Sequence, residues 1–345
     1  MKGSLCITAL LLAAAAAHAA APGDPSPLTQ VPASTPIVIH VNGPDVLESH
    51  IAAFLNIAVP DQAAAAKAGL EDLFRGGEAG TGRKVVGLAR DGHVFFVFFD
   101  ADVFVPTPAM AILLPVANYT EFRQGFVLPD ERKTSKIENG VESFLMMGGQ
   151  PAFLVDRKPY AVLATKKEVA EAIAKGPAGL DGKLSKDQAD RLLRSDVGVY
   201  LDAEALTKQY ADQIKDAHKQ INDGLDQAEK AAGDAGKAQW EALRGAADWL
   251  FQAADDGRSV LVVGELRAEG AALHAEALLM PGGKTAAALK DVRPSAFRDL
   301  GRLPAGQMSY TAWQTGPAVT KLLGPLQFGA AVAPESEGAK AAQEA

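Results

Sequence analysis

The stretch Val94-Phe95-Phe96-Val97-Phe98-Phe99 is apolar at every position, so a strand built from it has no polar face. Side chains alternate between the two faces of a strand, and a continuous apolar run is therefore typical of a strand in the centre of a sheet. Asp91-Gly92 stands just before this run and is a strong signal for a two-residue turn. The sequence therefore predicts a hairpin between strands at 84–90 and 93–99.

The residues before this hairpin predict a strand followed by two helices. Ile37–Val41 is rich in β-branched residues and predicts a strand, which ends at the turn residues Asn42-Gly43-Pro44. Asp45 can cap the first helix, and Pro60 begins the second. Further along the chain, strands are predicted at 109–116, 141–147, 152–155 and 160–164, and a short helix at 166–174.

The same order of elements returns in the second half of the chain. A strand is predicted at 197–201, and Asp202 can cap the helix that follows. Apolar residues from Leu206 onward recur every three or four positions, which indicates one face of a long helix. Gly233-Asp234-Ala235-Gly236 interrupts this pattern and predicts a helical hairpin over 203–254.

A second strand hairpin is predicted directly after these helices. Its strands cover 259–268 and 271–280, and the alternation places Val260, Val262 and Leu266 on one apolar face. The chain is therefore expected to be α+β, with duplicated β-α-α-β-β units, mostly antiparallel sheets and helices packed on one face. The predicted domains are a first repeat at 37–180, a second repeat at 195–323 that contains the helical hairpin, and a polar, alanine-rich tail at 324–345.

The N-terminus has the features of a cleavable export signal. Lys2 precedes an uncharged run over residues 5–17, and Ala17-His18-Ala19 is a small-x-small cleavage pattern. We expect a signal peptide at 1–19, an extended proline-rich leader at 20–36 and a secreted or periplasmic mature protein. The alternative is an uncleaved anchor, although the apolar run is short for a membrane span. No integral span is expected after cleavage.

Composition excludes several classes of partner and chemistry. Of the 345 residues, 48% are hydrophobic and 22% charged, which is typical of a globular chain. The 34 basic and 42 acidic residues give a net charge of −8, which does not suit nucleic-acid binding. Cys6 is the only cysteine, so the mature chain can form neither a disulfide nor a thiolate metal cluster.

The histidines and paired aspartates are the remaining candidates for chemistry. Five histidines lie after the predicted signal: His40, His50, His93, His218 and His274. His40 and His50 could meet near Asp100 or Asp102 in a metal site, and Asp255-Asp256 is a second carboxylate pair. No HExxH or GxSxG motif is present, and the glycine-rich segment 77–84 lacks the Gly-Lys-Ser/Thr ending of a phosphate-binding loop. We therefore assign no catalytic, cofactor-binding or metal-binding residue.

Two segments carry a resemblance to known proteins. Residues 31–46 and 303–319 share a proline-alanine start and a Gly-Pro ending, separated by a strand-like stretch. In this respect the chain resembles a group of uncharacterised exported bacterial proteins that pair a signal peptide with duplicated α+β units. The resemblance implies export and a non-enzymatic role, and it transfers no functional residue.

The expected function is therefore that of an exported, non-catalytic binding or scaffold module without a cofactor. Its partner would be a protein or a component of the cell envelope, and the sequence does not indicate the oligomeric state. One alternative is a carrier of apolar or lipid ligands, in which the strand Phe95–Phe99 would line a cavity. A second alternative is a hydrolase built on carboxylates and histidines such as His40 and His50.

Overall fold

The computed structural model describes residues 26–290 except 61–63, 66–67, 69–82, 102–104, 106, 147, 177, 233–236 and 268–269. The predicted signal peptide, the segment 303–319 that resembles residues 31–46, and the predicted tail lie outside the described residues. The described chain divides into two compact units. The first contains residues 26–206 and 259–277, and the second contains 207–258 and 278–290. The predicted division into repeats at 37–180 and 195–323 stays a prediction.

Ten strands occur within the described residues. They are β1 Ile37–Val41, β2 Val94–Phe98, β3 Met110–Pro115, β4 Lys136–Glu138, β5 Val141–Leu145, β6 Pro151–Arg157, β7 Tyr160–Ala164, β8 Val197–Leu201, β9 Gly257–Arg267 and β10 Gly270–Leu279. All belong to one antiparallel sheet in the order β10-β9-β8-β1-β2-β3-β7-β6-β5-β4. This finding confirms the predicted α+β class and its antiparallel pairing.

Nine α-helices accompany the sheet in the same described residues. They are α1 Pro44–Ala58, α2 Tyr119–Phe126, α3 Pro129–Thr134, α4 Lys167–Ala174, α5 Lys186–Arg194, α6 Ala203–Gln209, α7 Ala211–Ala232, α8 Lys237–Asp255 and α9 Lys284–Leu289. Short 3₁₀ helices cover Pro27–Gln30 and Leu180–Gly182. In the second unit, α7 and α8 pack against each other as the predicted helical hairpin. None of the described helices is both long and apolar enough to span a bilayer.

The strand β2 lies inside the sheet and is buried on both faces, as its apolar sequence predicts. Phe95 and Val97 belong to one hydrophobic cluster, and Phe96 and Phe98 belong to the cluster on the opposite face. Helix α4 packs into the first cluster, while α2 packs into the second. Helices therefore cover both faces of this part of the sheet, whereas the sequence suggested only one covered face.

The predicted hairpin around Asp91-Gly92 is wrong. Residues 84–90 form no strand, and Leu88 makes only an isolated bridge to Val116. The physical reason is that β1 and β3 already pair with the two edges of β2, so no edge remains for a hairpin partner. The turn signal is instead used to bring Gly92 against Pro115, where a Cβ atom would lie 2.3 Å from the proline Cβ.

The helix starts and the faces of β9 also refine the sequence predictions. Asp202 accepts a hydrogen bond from the Ala205 amide at 2.9 Å and so caps α6 as predicted. Asp45 lies in the first turn of α1 and is not its cap, because Gly43 occupies that position and Pro44 begins the helix. In β9 the buried side chains are Ser259, Leu261 and Val263, while the predicted core face is only half-buried.

Candidate interaction site

The two ends of the sheet differ in length and chemistry. At one end, β4 has three residues and presents Lys136 and Glu138 to solvent. At the other end, β10 has ten residues, and those at 271–275 are all exposed. Leu273 is 78% exposed. Because β9 covers only one edge of β10, the backbone groups on the other edge have no strand partner in the described part of the sheet.

An apolar groove of about 350 Å³ lies across β8, β9 and β10 at this end of the sheet. It is formed where β8 begins, β9 ends and β10 begins. Its lining residues are Asp196, Val197, Gly264, Glu265, Leu266, Ala271, Ala272 and Leu273. Gly264 leaves room in the groove, because a Cβ atom added there would meet nothing closer than 3.9 Å.

A polar cluster occupies one face of β10. Arg191 on α5 donates a hydrogen bond to Nε2 of His274 and lies 3.4 Å from the Glu276 carboxylate. The guanidinium group has only donors, so Nε2 must accept and the proton of the neutral imidazole lies on Nδ1. That Nδ1–H group has no acceptor among the described residues. Glu276 lies on the same face, two residues along the strand.

Asp196 and His50 form a hydrogen-bonded pair next to the groove. Nδ1 of His50 lies 2.7 Å from Oδ1 of Asp196, and the second carboxylate oxygen accepts the Leu266 amide at 2.6 Å. The Asp196 side chain is 3% exposed and its backbone bonds to Asn42 and Gly264, so its position is well defined. His50 is 41% exposed, and within the described chain its Nε2 makes no hydrogen bond.

This pair can accept or deliver a proton, because a buried carboxylate orients the imidazole and leaves the other ring nitrogen accessible. No described serine, threonine or cysteine hydrogen-bonds to His50, so the pair lacks an adjacent nucleophile in the described residues. The chain separation explains why sequence reasoning missed Asp196. It stands 146 residues from His50, and only the pairing of β8 beside β1 brings the two together.

His40 meets His93 in place of the predicted partners. Nε2 of His40 lies 2.9 Å from Nδ1 of His93, and both rings pack against Phe95. Burial lowers the pKa of His40 well below its usual value, and the nearby His93 lowers it further. Burial lowers the pKa of His93 to about 4. Both rings are therefore neutral near pH 7.

The remaining predicted candidates do not assemble into one site. The described residues contain no group of three or more side chains suited to hold a metal ion, and Asp102 lies outside them. Asp256 accepts a hydrogen bond from the Thr285 amide at 2.7 Å near the start of α9, and this backbone hydrogen bond lowers the pKa of Asp256. Phe95 and Phe96 lie in the two hydrophobic clusters, so this strand is part of the core.

The comparisons with known proteins show no family. No protein-family model matches the chain, and no curated protein matches it. A solved structure titled "Structure of crystal form III of TP0453" is similar over 54% of this chain and 68% of its own chain. The sequence identity is 14% and the TM-score is 0.28, so the likeness carries no argument about function.

Proposed function

We propose that this chain is an exported, non-enzymatic binding module that holds an extended segment of a partner polypeptide along the outer edge of β10. The observation that carries the proposal is that β10, a strand of ten residues, forms one edge of the sheet among the described strands. Proteins usually block such an edge with lysine, proline, a bulge or a very short strand. The β10 sequence GAALHAEALL contains neither lysine nor proline, whereas β4 is short and charged.

Strand addition explains how this edge can give affinity. An incoming extended peptide satisfies the free N–H and C=O groups of the edge, and its alternate side chains contact the two faces of the strand. The exposed Leu273 offers apolar area on one face, while His274 and Glu276 offer polar groups on the other. The edge can therefore select a peptide by its alternation of side chains.

A phage library of random ten-residue peptides tests the proposal. We expect selection against the full chain to enrich extended peptides with alternating apolar residues. Ala275→Lys places a protecting charge in the middle of β10 and should abolish their binding. Ile137→Lys places the same charge on β4, where Ile137 is 68% exposed, and should leave binding unchanged. Thermal unfolding checks that both variants fold, and failure to enrich peptides that discriminate between them contradicts the proposal.

The apolar groove favours a second candidate, a carrier of apolar ligands. Its lining at Val197, Leu266 and Leu273 suits an acyl chain, and its volume is within the range of small-molecule sites. Gly264→Leu would fill the groove without changing the edge of β10. Native mass spectrometry with added palmitate separates the two functions. A carrier binds palmitate and loses it in this variant, while strand addition survives the same change.

The export and non-enzymatic parts of the proposal have their own tests. The N-terminal sequence of protein recovered from the periplasm or medium of a bacterial host should start near Ala20. The His50 imidazole beside Asp196 is the group best placed for proton transfer. If the chain is not an enzyme, ester, peptide and glycoside substrates should show no turnover that depends on His50. Turnover abolished by His50→Gln would contradict the non-enzymatic assignment, and an intact precursor would contradict export.

A further inference from the structure

We infer that the strand which β10 accepts is β10 of a second copy of this chain, paired antiparallel about Ala275. This inference rests on the proposed function, because it names the partner of the same edge. In this arrangement the symmetry axis passes between the two Ala275 residues, so each contact is made twice. His274 then faces Glu276 of the second copy, and Leu273 faces Ala277 of the second copy.

The hydrogen-bonding state of His274 supports this register. Arg191 donates to Nε2, so the Nδ1–H group is a donor without an acceptor in the described chain. In the antiparallel pair the carboxylate directly opposite belongs to Glu276 of the second copy. That carboxylate already lies beside Arg191 of its own copy, 28% exposed and able to accept a further hydrogen bond. The two-fold arrangement therefore satisfies two donors at once.

Neighbouring registers lack this complementarity. Moving the centre of the pair by one residue, from Ala275 to Glu276, places the two Glu276 carboxylates directly opposite each other. Like charges in that position are unfavourable. Centring on His274 places the two His274 rings opposite each other and leaves each Glu276 without an imidazole partner. The alternation of His274 and Glu276 around Ala275 thus selects one register.

The packing along the strand is consistent with the same centre. Leu273 is large and 78% exposed, and the residue opposite it is the small Ala277. Ala275 faces itself, so the two backbones can approach without a clash of side chains at the axis. Strand β4 provides the internal contrast, because its three residues include both a lysine and a glutamate and offer no such run.

Sedimentation velocity over a range of protein concentrations is the first test. We expect the full chain to form a dimer. His274→Glu places a second carboxylate opposite Glu276 and should weaken the dimer by about tenfold or more, since two like-charge pairs are created. The double variant His274→Glu/Glu276→His exchanges the partners and should restore the dimer. Lys136→Glu on β4 is the matched control and should change nothing.

Cysteine cross-linking tests the register directly. In a Cys6→Ser background, Ala275→Cys places two thiols opposite each other at a Cα separation of about 5 Å, which suits a disulfide. Leu273→Cys places the two thiols about 13 Å apart along the strands, which does not. Copper-phenanthroline oxidation should therefore cross-link the first variant rapidly and the second only slowly.

Each outcome decides the inference separately from the proposed function. A monomer at all concentrations, failure of the double variant to restore association, or equal cross-linking at 273 and 275 overturns the self-pairing. If the chain is monomeric but still selects peptides that Ala275→Lys rejects, the proposed function stands with a different partner. If neither dimer nor peptide binding is found, both are overturned.

Discussion

The interior of the sheet, which we call the closed part, and its β10 end, which we call the open end, use their strands differently. In β3 and β7 every residue is buried, and helices cover both faces. In β10 no residue is buried, and one long edge is open among the described strands. Stability and interaction are therefore separated along the sheet. Changes in the closed part should lower the free energy of unfolding, and changes at the open end should alter association.

The largest expected effect on stability concerns a buried ion pair beside the closed part of the sheet. Arg83 donates to both carboxylate oxygens of Glu131 and to the Phe126 carbonyl, and both side chains are at most 6% exposed. Glu131→Gln removes the negative charge of a side chain whose two oxygens accept hydrogen bonds from a guanidinium group that is only 5% exposed. We expect the free energy of unfolding to fall by about 4 kcal/mol, measured by urea denaturation.

The matched control for this change is at the open end of the sheet. Glu265 pairs with Arg267, which is 65% exposed. Glu265→Gln removes an ion pair that solvent screens, and should lower the free energy of unfolding by less than about 1 kcal/mol. Similar losses of unfolding free energy in the two variants would mean that solvent screens the Arg83–Glu131 pair. The closed part and the open end would then not differ in this way.

The second-largest effect on stability comes from the same leucine-to-alanine change made in the closed part and at the open end. Leu154 on β6 is fully buried, and Leu273 on β10 is 78% exposed. Leu154→Ala leaves a cavity and should lower the free energy of unfolding by about 3 kcal/mol. Leu273→Ala should change it by less than about 0.5 kcal/mol at protein concentrations too low for association. Denaturation of both variants at one low concentration measures the difference, and a small effect at Leu154 would contradict the buried cluster.

The interior strands of the sheet were also the easiest to predict from sequence. Strands β1, β7 and β8 have the predicted bounds, because an apolar β-branched run has few other stable environments. Helix α5 was missed although Ser185 and Gln188 form a capping box, which is a local signal. The hairpin at Asp91-Gly92 failed because long-range pairing of β2 overrode a correct turn signal.

The candidate site depends on contacts that a single sequence does not reveal. The β10 residues were predicted as a strand, but their position at the end of the sheet follows only from the strand order. Arg191 reaches His274 across 83 residues, and His50 reaches Asp196 across 146. No periodicity or motif links residues so far apart. The export signal and the absence of catalysis stay predictions.

The third effect is the loss of stability in acid that is expected from two histidines near β1, between the closed part and the open end of the sheet. His40 on β1 and His93 are buried and neutral, and their folded-state pKa values lie below the ordinary value of 6.5. The unfolded chain therefore takes up more protons as the pH falls from about 6.5 toward 4, so stability is complete above this window and is lost within it. We expect a loss on the order of 2 kcal/mol from this pair.

Denaturation at pH 7.5 and 4.5 measures this loss. His40→Phe/His93→Phe replaces both rings by apolar ones, and we expect the variant to lose less stability than the native chain over the same interval. His218→Asn changes a histidine of α7 in the second unit and should keep the native loss. An unchanged pH dependence in the double phenylalanine variant would show that other groups cause the acid sensitivity.

The smallest effect compares two glycines in neighbouring strands. Gly198 in β8 lies opposite His40 and Val263, and a Cβ atom there would lie 2.4 Å from Cδ1 of the buried Leu192. Gly198→Ala forces that side chain to move and should lower the free energy of unfolding by about 1 kcal/mol. Gly264→Ala adds the same methyl group where the nearest atom is 3.9 Å away, and should leave stability unchanged or slightly higher. If urea denaturation gives equal values for both, the core side of β8 is not packed more tightly than the groove side of β9, and the boundary between the closed and open parts of the sheet would have to lie nearer to β10.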